Sequence, residues 1–187
     1  MVPLAHLWIP IVVSAVIVFV ASSVIHMVLK YHNSDYRKLS NEDEVRAVLR
    51  KGQPQPGQYI IPWCSHSKDA QGAETQKKFA EGPVGVLWLR PNGSPQMGSL
   101  LGSWFVYSAL ISLFAAYVAA HTLPVGSDYL SVFRIVGTVA FLGYAGGNLA
   151  DTIWKGQPLS CALKTHFDGL VYGLLTAGTF GWLWPKL

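Results

Sequence analysis

Charge is scarce in this chain. Asp, Glu, Lys and Arg make up 13% of its 187 residues, against roughly a quarter in a soluble domain. So few charges cannot cover a water-facing surface of ordinary size, and lipid is the solvent the composition suits. Cysteine is scarce too: the only two are Cys64 and Cys161. They exclude a disulfide framework, and neither belongs to a CxxC pair or a CxxCH haem-attachment motif. The catalytic signatures GxSxG, HExxH, GxxxxGK[ST] and GxGxxG are missing. So is an inverted repeat of the kind transporters carry.

Positive charge is absent before Lys30. The first apolar run therefore lacks the basic start of a signal peptide, and it is too long for one, so it reads as an uncleaved helix. Where basic residues do occur they are mixed with acidic ones such as Glu42, Asp43 and Glu44. No recognition motif accompanies them, and nucleic acid is excluded as a partner.

What the chain has is apolar length. A membrane-crossing helix takes about 20 residues. Residues 7–29 and 100–120 form two uncharged blocks, residues 130–150 a third that contains Arg134, and residues 169–184 a shorter fourth reaching back to about 165. The fold class expected is a mainly α membrane protein of four transmembrane helices, with a small α+β cytoplasmic insert between helices one and two. In domains, residues 1–30 are the first transmembrane helix and 31–97 the insert. Residues 98–187 form a three-helix transmembrane region, with helices at about 99–121, 129–151 and 165–184.

Lys30, Arg37 and Lys38 follow the first helix directly. Positive flanks stay cytoplasmic, which places the insert inside and both termini outside, in a bacterial-type inner membrane. Within the insert, the stretch SNEDEVRAVLRKGQ carries a helix start at Ser40 or Asn41, with Asp43 or Glu44 completing a capping box and Gly52 stopping the helix. PGQYIIPW and VGVLWL read as strands, and DAQGAETQKKFAEG as a second, polar helix. The core of such a unit is thin. Its aromatic residues, Tyr31, Tyr36, Tyr59, Trp63 and Trp88, either fill that core or meet lipid or a partner.

Small residues recur at helical spacing. Gly169, Gly173, Ala177 and Gly181 are four apart on the fourth helix, and Gly143 and Gly147 lie on the third. In lipid such stripes let backbones approach, within the bundle or against another subunit or a second copy.

Three groups of polar residues need a reason. Asn148 and Asp151 end the third apolar block and Asp168 opens the fourth. Their plain reading is a polar helix-to-helix turn, with Thr165 and Asp168 at capping-box spacing. Their sharper reading is a pocket for an ion, a proton or a polar ligand. The histidines His6 and His121 fall at the outer helix ends, and His26 and His166 at the inner ends. Two facing pairs suit bis-His haem or a metal, although His is ordinary at helix ends and no cofactor is required. Cys64 and His66, with His32, form a loose third set with no metal-site spacing. Arg134 either reaches outward or pairs with Asp128.

The functional expectation is a non-enzymatic accessory or assembly subunit of a larger membrane complex. The alternatives are a small oligomeric transporter or channel using Asn148, Asp151 and Asp168, and a haem or metal redox protein.

Overall fold

A computed structural model describes residues 2–64 and 70–186. The chain divides into two units: Met1–Tyr36 with Pro95–Thr152 and Gln157–Leu187, and Arg37–Ser94 with Ile153–Gly156. Tyr31–Tyr36 fall in the first of these units.

In the helical unit a 3-10 turn, Leu4–Leu7, leads into α1 (Trp8–Val24). α1 runs on as a π-wound turn, Ile25–Leu29, and the chain reverses at Lys30, whose φ of 53° is left-handed. A second 3-10 turn, Tyr31–Asp35, follows. The buried residues of α1 are Pro10, Ser14, Ala15, Val18 and Ser22, a stripe at helical spacing. Its exposed face is the more apolar one, with Trp8, Ile9, Val12, Val16, Val20 and Val24. A helix in water shows the reverse, so this face is suited to lipid.

Three further elements complete the frame. They are α4 (Met97–Thr122), α5 (Tyr129–Ala145) and α7 (Leu159–Leu183). The short α6 (Asn148–Lys155) lies between α5 and α7 and is split from α5 at Gly146 and Gly147. Asp128 caps α5: its carboxylate accepts from the Ser131 N–H at 3.0 Å and the Ser131 hydroxyl at 2.6 Å. That engagement answers for Asp128, while Arg134 is exposed.

α5 and α7 run antiparallel and very close. A Cβ built on Gly169 would come within 2.8 Å of Ala145 Cβ, one on Gly173 within 3.2 Å of Phe141, and one on Gly181 within 2.6 Å of Tyr129. Gly137 meets Ala177 in the same way at 3.1 Å, and Gly143 meets Ile111 of α4 at 2.5 Å. Nothing lies within 4 Å of Gly147. The small-residue faces of α7 and α5 are therefore occupied within the chain.

Three helical segments among the described residues are long and apolar enough to cross a membrane: Leu4–Leu29, Met97–Thr122 and Tyr129–Lys155. The expectation of four is corrected to three. α7 is 25 residues long, but Lys164, His166 and Asp168 interrupt its first half, and glycine and threonine dilute the rest.

The second unit contains α2 (Glu42–Gly52), β1 (Gly57–Ile61), α3 (Ala73–Glu81) and β2 (Gly85–Leu89). The strands pair antiparallel, with Gly57 opposite Leu89 and Ile61 opposite Gly85. The expected elements are present in order, but no side chain of Asn41 caps α2. None of the unit's described residues is buried. Lys155 lies over the Trp88 ring, 5.7 Å from its centre.

Candidate functional site

The interior of the helical unit changes character along its length. At the end holding Leu7 it is apolar and tightly filled, by Ala115, Ala116, Ala119, Val132, Val136, Phe180 and Trp184. Toward the other end it becomes aromatic and polar, and there lies the one buried charged residue among those described, Asp168, 4% exposed.

Two local patterns build the site around Asp168. On α7, Lys164 and Asp168 are one turn apart and share a face. After α1, the π-wound turn and the reversal at Lys30 fold the 3-10 turn back toward α7. π-wound turns often mark functional positions. In the 3-10 turn His32 and Asp35, three apart, also share a face.

The side chains then interlock. The Tyr31 hydroxyl donates to Oδ1 of Asp168. His32 Nε2 lies 2.8 Å from Oδ2 of Asp168, and His32 Nδ1 lies 2.6 Å from Oδ2 of Asp35. Lys164 Nζ donates to Oδ1 of Asp35 at 2.5 Å, to Ser34 Oγ at 2.7 Å and to the Tyr31 carbonyl at 2.9 Å. The result is an unbroken chain from Tyr31 through Asp168, His32 and Asp35 to Lys164. His32 is flanked by carboxylates on both ring nitrogens. A neutral imidazole donates only once, so making both contacts at the same time takes one proton more than a neutral ring carries.

Burial alone would raise the Asp35 carboxyl. The hydrogen bonds and charges of Lys164 and His32 outweigh it and hold that carboxyl below its ordinary value. Tyr31 moves the other way. Burial first, then the hydrogen bond to Asp168 and the nearby carboxylate charges, push its hydroxyl far above the usual phenol range.

His26 stands beside this chain. Its ring is stacked on His32, with centres 4.7 Å apart and planes within 7°. Its Nδ1 lies 3.0 Å from the Ser22 carbonyl. Nδ1 must carry the proton to make that bond, which leaves Nε2 with a free lone pair. His26, His32 and Asp168 each offer a ligand atom, all within 4.8 Å of one another. Among the described residues they are the one such group of three or more histidine, cysteine or acidic side chains.

The expected site residues separate. Asp168 is central, but it lies inside α7, which begins at Leu159 rather than near 165. It is therefore not a helix-start residue, and the capping box with Thr165 does not form; the Thr165 hydroxyl instead bonds the Cys161 carbonyl at 3.1 Å. Asn148 donates back to the Tyr144 carbonyl at 3.3 Å. Asp151 lies in the first turn of α6, near the end of the Tyr129–Lys155 segment. The partners that hold Asp168 are Tyr31 and His32.

Of the four expected histidines, His6, His26, His121 and His166, only His26 stands in the cluster, beside His32. His166 and His121 each turn Nδ1 back to a carbonyl one turn earlier, Ala162 at 2.8 Å and Tyr117 at 2.8 Å. His6 is exposed in the first 3-10 turn. Cys64 and Cys161 are both free thiols, and His66 lies outside the described residues. His32, Asp35 and Lys164 were not recognised together from sequence. The signals for them were the His-x-x-Asp spacing of 32–35 and the Lys-x-x-x-Asp spacing of 164–168.

Compared with protein-family models, curated proteins and solved structures, the chain matches none. Fold and site define it as a mainly helical protein with three helices fit to cross a membrane and a half-buried polar cluster around Asp168 at one end of its helical unit.

Proposed function

We propose that this is an integral membrane protein that binds a cation at the Asp168 cluster and works as a small transporter or channel. One observation carries the reading: Asp168 is 4% exposed and is held by His32 and Tyr31 within an unbroken chain of polar side chains. A buried carboxylate is costly, so one held this way is a reasonable place to look for a bound cation. In this reading Asp168 is the binding group, His32 its exchangeable partner, and Asp35 with Lys164 the frame that orients His32. Lys30, Arg37 and Lys38, which flank residues 31–35 in sequence, favour the cytoplasmic side for it. The test is uptake into proteoliposomes of protons, alkali cations or divalent cations, comparing the native chain with Asp168→Asn. The expected result is uptake of one cation class that Asp168→Asn abolishes while the helical content is retained. Equal uptake by both proteins removes the reading.

A second reading, an accessory subunit of a larger membrane complex, draws on the other unit. Trp63, Trp88 and Trp154 are 74%, 54% and 83% exposed there, in a unit with no buried described residue to pack on. Exposed tryptophans on a thin unit suit a partner protein or a lipid surface. Purification in mild detergent from the native host tests it: a stoichiometric companion chain is expected, and a homogeneous preparation of this chain alone counts against it.

A further inference from the structure

The geometry points to a divalent first-row transition metal as the cation, bound by His26, His32 and Asp168. This inference rests on the cation-site reading above and names its ligand.

The donor set is two imidazoles and one carboxylate. Such a set suits Zn2+ and its neighbours, whereas Ca2+ and Mg2+ take oxygen ligands. The gap between His32 Nε2 and Asp168 Oδ2 is 2.8 Å, bridged by a proton. Two ligand atoms on one tetrahedral zinc, each about 2.0–2.1 Å from it, stand roughly 3.3 Å apart. An opening of about half an ångström there, with the His26 ring turned out of its stack on His32 and closing from within 4.8 Å, exchanges the proton for a metal. On binding, Asp168 Oδ2 and His32 Nε2 each bond the metal, and the proton between them leaves to solvent.

Three further features fit a metal rather than a plain ion pair. His26 is fixed by the Ser22 carbonyl in the tautomer with its Nε2 lone pair free. His32 Nδ1 is held by Asp35 at 2.6 Å, the carboxylate–histidine support that orients a metal-binding ring and raises its basicity. Lys164 in turn fixes Asp35 at 2.5 Å and offsets its charge. His26 is exposed whereas Asp168 is buried, so the site has an entrance on the His26 side. Three protein ligands leave the fourth position for water or an exchanging ligand, the arrangement of an open rather than a closed zinc site.

The test is calorimetric titration of the full-length protein in detergent, stripped with chelator, using Zn2+ and then Co2+. One metal per chain is expected, with Mg2+ and Ca2+ unable to compete. His26→Ala, a change at an exposed ring, should weaken binding at least tenfold, while His121→Ala and His166→Ala leave it unchanged. Bound Co2+ should show the visible bands of a low-coordinate nitrogen and oxygen site, a readout that a folding defect in an Asp168 variant cannot imitate. Absence of Zn2+ binding, or binding unaffected by His26→Ala, overturns the inference. If Zn2+ fails to bind while Asp168→Asn still abolishes uptake of another cation, the metal is wrong and the cation site stands. If neither binding nor uptake depends on Asp168, both fall.

Discussion

The two ends of the helical unit use the same helices for opposite ends. Around Leu7, α4, α5 and α7 meet through alanine, valine and Phe180, and the interior is closed by shape. Around Asp168 the same α7 meets the turn after α1 through hydrogen bonds and charge. Shape closure needs no particular partner chemistry and permits nothing but packing. Charge closure costs desolvation, which is recovered only while every partner is present. A protein that needed only to hold its helices together had the cheaper solution available, and used it at the other end. The polar end therefore calls for a function.

That contrast can be broken by deletion. Asp168→Ala removes the acceptor of the Tyr31 hydroxyl and the partner of His32, and should destabilise the protein by about 3–5 kcal/mol in chemical denaturation. Phe180→Ala, at 0% exposure in the apolar end, should cost a similar 3–5 kcal/mol or so by opening a cavity. The two variants should differ in cation binding, which Asp168→Ala loses and Phe180→Ala keeps. If both keep it, the two ends do not differ in kind.

Smaller changes sharpen the comparison. Gly173→Leu forces a side chain into the Phe141 backbone, where a Cβ already stands at 3.2 Å. Overpacking there should cost about 1–3 kcal/mol, read from the denaturation midpoint, without altering cation affinity. Tyr172, one turn beyond Asp168 on α7, is 3% exposed and its hydroxyl has no hydrogen-bond partner among the described residues. Tyr172→Phe should then be neutral or stabilising by about 1 kcal/mol. A clear destabilisation would mean that the hydroxyl holds something, and would extend the polar site inward. Smallest is the α5 cap. Hydrogen bonds from Ser131 hold the exposed Asp128 carboxyl below its ordinary value. Its contribution is full above the unfolded carboxylate value, about 4, and is lost as pH falls through the lower folded value. Asp128→Ala should reduce the melting temperature slightly at neutral pH, with the difference from the native chain vanishing in acid.

How much of this could be read in advance depended on the range of the signal. The apolar runs located α1, α4 and α5, because length and hydropathy are properties of one segment. The elements of the second unit were legible for the same reason, through Gly52, the bounding prolines and the alternating strands. From sequence, α7 reads as starting near 165 because Lys164, Thr165 and His166 break the apolar pattern. Pro158, a good helix-start residue, was the signal that would have extended it. With α7 too short, Asp168 looked like a terminal carboxylate, and Asn148 and Asp151 looked like its neighbours. Its true partner His32 is 136 positions away in the chain. No periodicity reports a contact of that span, and polar residues buried by distant partners read as a loop.

The most direct measurement is the melting temperature of the purified protein across a panel of cations, for the native chain and for Asp168→Asn. A cation that binds only the folded state raises the melting temperature in proportion to the logarithm of its concentration. The account predicts that a transition-metal ion such as Zn2+ stabilises the native chain and leaves Asp168→Asn unmoved. If no cation in the panel, protons included, separates the two proteins, the Asp168 cluster is a structural tie and the central claim is contradicted.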